Sequence, residues 1–166
     1  MNILTQKTKK INKNYQFLSK IGGIFTFLVV LSIASCSKSS SSVSEPDQML
    51  AFAKKNNITY TKDPSGLWYE IINPGTGTKP RATSTVSAAY IGTFMNEKIF
   101  DSTSKPIDFP LNGVIKGWQD AVQLMTVGSK WKLFIPSELA YGDRSAGPFI
   151  GPGMTLIFEV ELLGIE

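Results

Sequence analysis

Apolar and polar positions alternate along this chain in ways that change abruptly, and each change marks an element. Met1 to Lys20 is polar and basic, whereas Ile21 to Ala34 (IGGIFTFLVVLSIA) is a nearly unbroken apolar run. Ser37 to Ser44 (SKSSSSVS) is serine-rich and nearly uncharged, the composition of a flexible linker. Met49, Leu50 and Ala53 then fall on one helical face behind Ser44-Glu45-Pro46-Asp47. With Ser44 as N-cap, acids in the first turn and Lys54-Lys55 where the helix dipole favours cations, a short helix of about ten residues is predicted, ending near Asn56-Asn57. A helix this short has to dock on something else or fray.

From Gly66 onward the spacing becomes that of strands. Leu67–Ile72 stops at Asn73-Pro74-Gly75, Thr83–Phe94 alternates small and large residues, and Lys130–Ile135 and Thr155–Leu163 are β-branched and aromatic. Between them, Ile115 to Met125 (IKGWQDAVQLM) places Ile115, Trp118, Val122 and Met125 on one face of a helix. One amphipathic helix among antiparallel strands predicts an α+β fold in which the sheet wraps or covers that helix.

Composition narrows what such a domain can do. The net charge of +4 points at first to nucleic acid or anionic lipid, but Lys7, Lys9, Lys10, Lys13 and Lys20 all lie in the first twenty residues, with no acid among them. After Cys36 there are 12 Lys and Arg against 13 Asp and Glu, so no nucleic-acid partner is expected. The chain has no histidine, and its single cysteine is Cys36. That removes disulfides, imidazole bases and thiolate catalysis in the folded part, and no metal or cofactor is expected.

The N-terminus reads as an address. A basic stretch, an apolar stretch and Ile33-Ala34-Ser35-Cys36 have the layout of a secretory signal. The apolar run is shorter than the roughly 20 residues a membrane span needs. Ile-Ala-Ser-Cys resembles a bacterial lipobox, which implies removal of residues 1–35 and acylation of Cys36; more than one chain, at about 0.8 kcal/mol per buried methylene, anchors a protein stably. The other reading of the same residues is an uncleaved signal anchor with an inert Cys36. The expected organisation is therefore 1–35 leader, 36–44 lipidated cysteine and linker, 45–65 short helix and connector, and 66–166 main domain, held at the bacterial envelope with the outer membrane favoured.

Five blocks carry a more specific likeness: AAYIGTF, FDST, VIKGWQDAVQLMTVGSKWKLFIP, LAYGDR and IGPGMTLIFEVELL. In order and spacing they resemble the FKBP-type peptidyl-prolyl cis/trans isomerases, most closely the macrophage-infectivity-potentiator subfamily. The resemblance implies a five- or six-stranded antiparallel sheet curled around one short helix, with an apolar pocket that admits a proline ring. It implies that Tyr90, Phe100, Asp101, Ile115, Trp118, Tyr141 and Phe158 carry the catalysis, and that Ile107, Val114 and Ile150 contact substrate. In that scheme Trp118 is the floor, the Ile115 N–H and the Tyr141 hydroxyl hold substrate carbonyls, and Asp101 accepts from Tyr90.

Read without the family, Trp118 also fits an ordinary core residue, Tyr141 a surface tyrosine on a loop, and Asp101 a turn-initiating aspartate. Several positions depart from the family pattern. Gly113 replaces an acidic or polar residue, the loop Ser102–Lys105 is short, Ile107 replaces a wall phenylalanine, and Ala146 replaces a histidine. The stretch between Cys36 and Gly66 leaves no room for a long dimerisation arm, so a monomer acting on proline-containing polypeptides is expected. A chaperone or binding module of the same fold, with little turnover, is the competing reading.

Overall fold

In the computed structural model, which describes residues 43–166, the helix expected after the serine-rich stretch runs over Glu45–Lys55 (α1). Its first turn is built as the sequence suggests: the Ser44 hydroxyl accepts from the Asp47 N–H at 3.3 Å, Pro46 sits where a missing N–H costs nothing, and Asn56 closes the other end. The leader, Cys36 and most of the linker lie outside the described residues. Far from fraying, α1 is docked by Met49 and Ala53, both buried. Burying a methionine contributes about 1.5–3 kcal/mol, which an isolated helix of this length needs in order to persist.

Six strands follow: Thr61–Lys62 (β1), Trp68–Asn73 (β2), Thr85–Phe94 (β3), Ile99–Pro110 (β4), Lys130–Ile135 (β5) and Leu156–Ile165 (β6). They form one sheet in the order β1-β2-β5-β6-β3-β4, every pairing antiparallel. The second helix, Lys116–Leu124 (α2), has Ile115 as its N-cap and Met125 as its C-cap, and is preceded by a 3-10 turn at Leu111–Gly113.

Side chains alternate across the sheet, so β2, β5 and β6 feed two cores. On the inner face, Val86, Ala88, Leu133, Ile135, Leu156, Val160 and Leu162 pack with Trp118, Ala121, Val122 and Met125 of α2. On the outer face, Trp68, Phe134 and Ile157 pack with Met49, and Phe52 closes over them from α1. Gly117 lets α2 lie directly on β5, because a Cβ there would collide with the Ile135 side chain.

One feature differs from what the sequence predicts. Strand β4 was not expected, and Ser102–Lys105, taken as a short loop, lies inside it. It is an edge strand with most residues exposed, so it shows neither apolar alternation nor a β-branched run, and Pro106 is tolerated because an edge strand has an outward N–H side to spare. Its pairing shifts between Ala88, opposite Ile107, and Tyr90, opposite Thr103, so the extra residues bulge out there. Lys105, Pro106 and the bulge also blunt an edge that would otherwise invite pairing with another chain. The stretch 45–65 holds the expected short helix, and α1 and β1 lie in the same compact unit as the rest of the sheet.

Candidate functional site

One end of the inner face is not filled. There β3, β4, β6 and α2, together with the segment between β5 and β6, enclose a cleft of about 630 Å³. Helix α2 supplies the floor: Trp118, three positions into the amphipathic pattern, is only 4% exposed, yet it lines the cleft.

Around it the aromatic rings meet edge to face or tilted, none of them stacked. Tyr90 approaches the Trp118 indole at 5.4 Å and 87°, Phe158 at 5.5 Å and 90°, and Phe109 tilts in at 5.6 Å. Phe100 stands perpendicular to Phe158 at 5.4 Å. Such pairs contribute about 0.5–1.5 kcal/mol each beyond burial, and they hold the walls in fixed orientations. Gly92 makes room for two of them, since a Cβ would lie 2.7 Å from Phe100 Cζ and 3.0 Å from Phe158 Cε1.

The polar groups are few. The Tyr90 hydroxyl donates to Asp101 Oδ2 at 2.6 Å across β3 and β4. Burial first, and the Asp101 carboxylate second, push the Tyr90 phenol well above its ordinary range, so it remains a donor. Asp101 lies in mid-strand, so it does not start a turn. At the start of α2, Ile115 offers its carbonyl to the N–H groups of Trp118 and Gln119, while its own N–H has no acceptor among the described residues. The Val114 carbonyl is taken by the Gln119 side chain at 2.8 Å.

The opposite wall comes from the segment between β5 and β6. It opens with a 3-10 turn at Ser137–Leu139, then presents Tyr141, whose hydroxyl makes no hydrogen bond among the described residues. Gly142 follows with φ 60°, a left-handed conformation that lets the chain reverse directly after the tyrosine. Farther on, the Ala146 N–H donates to the Ile150 carbonyl at 2.8 Å and pins a tight loop. Phe149 stands at its tip, 62% exposed, with Lys98 Nζ 5.8 Å from the ring centre.

The cleft thus brings together Tyr90, Phe100, Asp101, Val114, Ile115, Trp118, Tyr141, Ile150 and Phe158, and Gly113 and Ala146 also line it. Ile107 is the exception: it lies on β4 opposite Ala88, 41% exposed, and is not among the lining residues. The wall it was expected to form belongs to Phe109, two residues later on the same face, opposite Val86. The strand period would have suggested Phe109, had β4 been recognised as a strand. Arg144 and Phe149 were also missed; both sit in a turn-rich loop with no periodic signal.

Among the described residues Asp101 is the sole carboxylate lining the cleft. Acid/base chemistry by a carboxylate pair therefore has no footing here. The arrangement suits non-covalent recognition of an apolar ring flanked by carbonyl groups.

Residues 76–163 match the family model described as FKBP-type peptidyl-prolyl cis-trans isomerase. The chain is 49% identical over 106 residues to the outer membrane protein MIP of Legionella longbeachae, covering 62% of this chain and 46% of that one. It is 50% identical over 116 residues to the FKBP-type 22 kDa peptidyl-prolyl cis-trans isomerase of Escherichia coli, covering 68% and 55%. The chain thus spans about half the length of these relatives. Among solved structures, a peptidyl-prolyl cis-trans isomerase from Pseudomonas syringae superposes with a TM-score of 0.66 at 37% identity, covering 73% of this chain and 92% of that one. With the family model matching just over half of its length, the chain belongs to the FKBP-type peptidyl-prolyl cis-trans isomerases.

Proposed function

We propose that this chain catalyses cis/trans isomerisation of peptidyl-prolyl bonds and assists the folding of exported or envelope proteins at a membrane surface. The observation that carries the proposal is the cleft itself, a Trp118 floor ringed by Tyr90, Phe100, Phe109 and Phe158, with an unengaged Ile115 N–H and Tyr141 hydroxyl at its rim.

An X-Pro bond turns slowly because amide resonance sets a barrier of about 18–20 kcal/mol. On twisting, the amide loses conjugation and its carbonyl loses dipole. An apolar, ring-lined site therefore suits the twisted form better than the planar one. In this reading the free Ile115 N–H holds the carbonyl on one side of the ring, and the Tyr141 hydroxyl the carbonyl before the turning bond. Tyr90 and Asp101 fix each other and give the rim its polarity. No proton has to move, so no acid or base is assigned. Four decades of acceleration need about 5.5 kcal/mol, within reach of two or three hydrogen bonds and a desolvated ring.

A protease-coupled assay on a Phe-Pro peptide tests this reading. Wild-type protein should accelerate the slow phase, and Trp118→Leu should lower kcat/KM at least tenfold; a wild-type rate no faster than buffer would overturn it. The exposed Phe149, at 62% and lining the cleft, favours the second reading, a holdase that binds unfolded chains at the rim. Suppression of client aggregation that survives intact in Trp118→Leu would mark that role as separate from turnover.

The same proposal includes a lipid anchor at Cys36, an envelope location with the outer membrane favoured, and a monomeric state. The lipobox-like Ile33-Ala34-Ser35-Cys36 supports the anchor. Among the described residues no helix is long and apolar enough to cross a membrane. Metabolic labelling with palmitate should mark the wild type and leave Cys36→Ser unmarked; equal labelling of both would end the anchor hypothesis.

A further inference from the structure

We infer that Glu45, the first residue of α1, is a positioning residue that holds the loop wall of the cleft in place. Its carboxylate does not serve its own helix. Oε1 accepts from the Ser137 N–H at 2.9 Å and from the Thr155 hydroxyl at 2.5 Å, and Oε2 accepts from the Ser137 hydroxyl at 2.8 Å. These partners are 92 and 110 residues away along the chain, and both are buried polar side chains. A carboxylate accepting three such bonds is among the stronger non-covalent ties a protein can make.

Ser137 and Thr155 are the two roots of the segment that carries Tyr141, Phe149 and Ile150. Within that segment the Ser137 carbonyl accepts from the Gly142 N–H at 2.8 Å, and the Gly142 carbonyl accepts from the Gly153 N–H at 2.9 Å. Two residues on, Thr155 returns to Glu45. The bonds form a closed circuit through both roots and through the residue directly after Tyr141. Without Glu45 the circuit is open. The roots are then held only by the flanking strands, and the Tyr141 hydroxyl and the Ile150 side chain lose their fixed distance from the Trp118 floor.

The arrangement also explains why α1 belongs with the sheet. Its packing supplies stability, while its first side chain ties down Ser137 and Thr155, the two ends of the segment that carries the loop wall. Both effects rest on the same eleven residues, but they can be separated by substitution.

The inference rests on the isomerase reading, and its test is built so that the two can fail independently. In the full chain, Glu45→Ala should lower kcat/KM for a Phe-Pro peptide about tenfold and speed amide exchange at Gly142 and Gly153. Glu45→Gln should stay within about twofold of wild type, because an amide oxygen can accept from Ser137 N–H and Thr155 while its NH₂ donates to the Ser137 hydroxyl. Met49→Ala, which loosens the packing of the same helix but keeps the carboxylate, should spare both readouts at a temperature where it is folded. Thr155→Val, nearly isosteric, removes one bond of the circuit and should give an intermediate effect even if Glu45→Ala does not fold. Unchanged amide exchange at Gly142 and Gly153 in Glu45→Ala, or equal losses in Met49→Ala, would overturn the inference. If wild-type protein shows no turnover, the exchange measurement alone still decides the role of Glu45.

Discussion

Trp68 and Trp118 are almost equally buried, at 5% and 4% exposure, and each stands at the centre of an aromatic cluster on opposite faces of one sheet. Around Trp68 every approach is occupied. Tyr60 stacks flat on it at 4.5 Å, Lys62 Nζ lies 4.0 Å from its ring centre, and α1 closes over the cluster with Met49 and Phe52. Around Trp118 the neighbours stand on edge, and nothing is laid across the space they frame. Stacked rings consume each other's faces, whereas perpendicular rings leave a concavity bounded by a face and several edges. Residue type and burial alone do not separate core from site; what separates these two tryptophans is whether another element is laid over the cluster, as α1 is over Trp68.

That contrast can be broken from either side. The largest effect is expected from Phe134→Ala in the sealed cluster, which should cost about 3–5 kcal/mol in a denaturant titration. Turnover, measured where the variant remains folded, should stay within about twofold of wild type. A loss of activity as large as the loss of stability would mean that the two clusters act as one unit.

A smaller effect, of opposite character, is expected at the open cluster. Tyr90→Phe keeps the ring but leaves Asp101 without its donor, a change of about 1–1.5 kcal/mol. It should appear as a roughly tenfold fall in kcat/KM with a shift of the unfolding midpoint too small to account for it. If activity is unchanged, the Tyr90–Asp101 bond only braces β3 against β4.

The smallest expected effect is a flat pH profile. The Tyr90 pKa is raised in the folded protein, so the protonated form is favoured there. Its contribution is complete below the unfolded value near 10 and is lost only as pH rises through the folded value. The chain has no histidine. kcat/KM should therefore vary little between about pH 6 and 9, apart from any change in the peptide. A bell-shaped curve would point to proton transfer and contradict the non-covalent mechanism.

How legible each region was from sequence follows from the same geometry. Helix α2 and strands β2, β3, β5 and β6 have at least one face in a core, so their period or their β-branched and aromatic content was plain, and the caps of α1 could be read almost to the residue. Strand β4 could not, because its outer edge faces solvent and its pairing partner lies on one side only. Losing β4 meant placing a wall at Ile107, when the pleat carries Phe109 there. The loop residues Arg144 and Phe149 owe their place to turns and to the Ala146–Ile150 bridge, which have no periodic signature. The reach of Glu45 to Ser137 and Thr155 joins positions about a hundred residues apart, and a single sequence holds no trace of it.

Gly117 has a consequence for selectivity. Because it has no side chain, α2 rests against Ile135, and Trp118, the next residue, lines the cleft from that close-packed helix. A methyl group at 117 would act as a shim, lifting the indole toward the mouth and making the site shallower for every substrate at once. The residue with the least bulk in the helix thus acts as a spacer, fixing how near the cleft floor lies to the sheet while standing outside the cleft's lining itself.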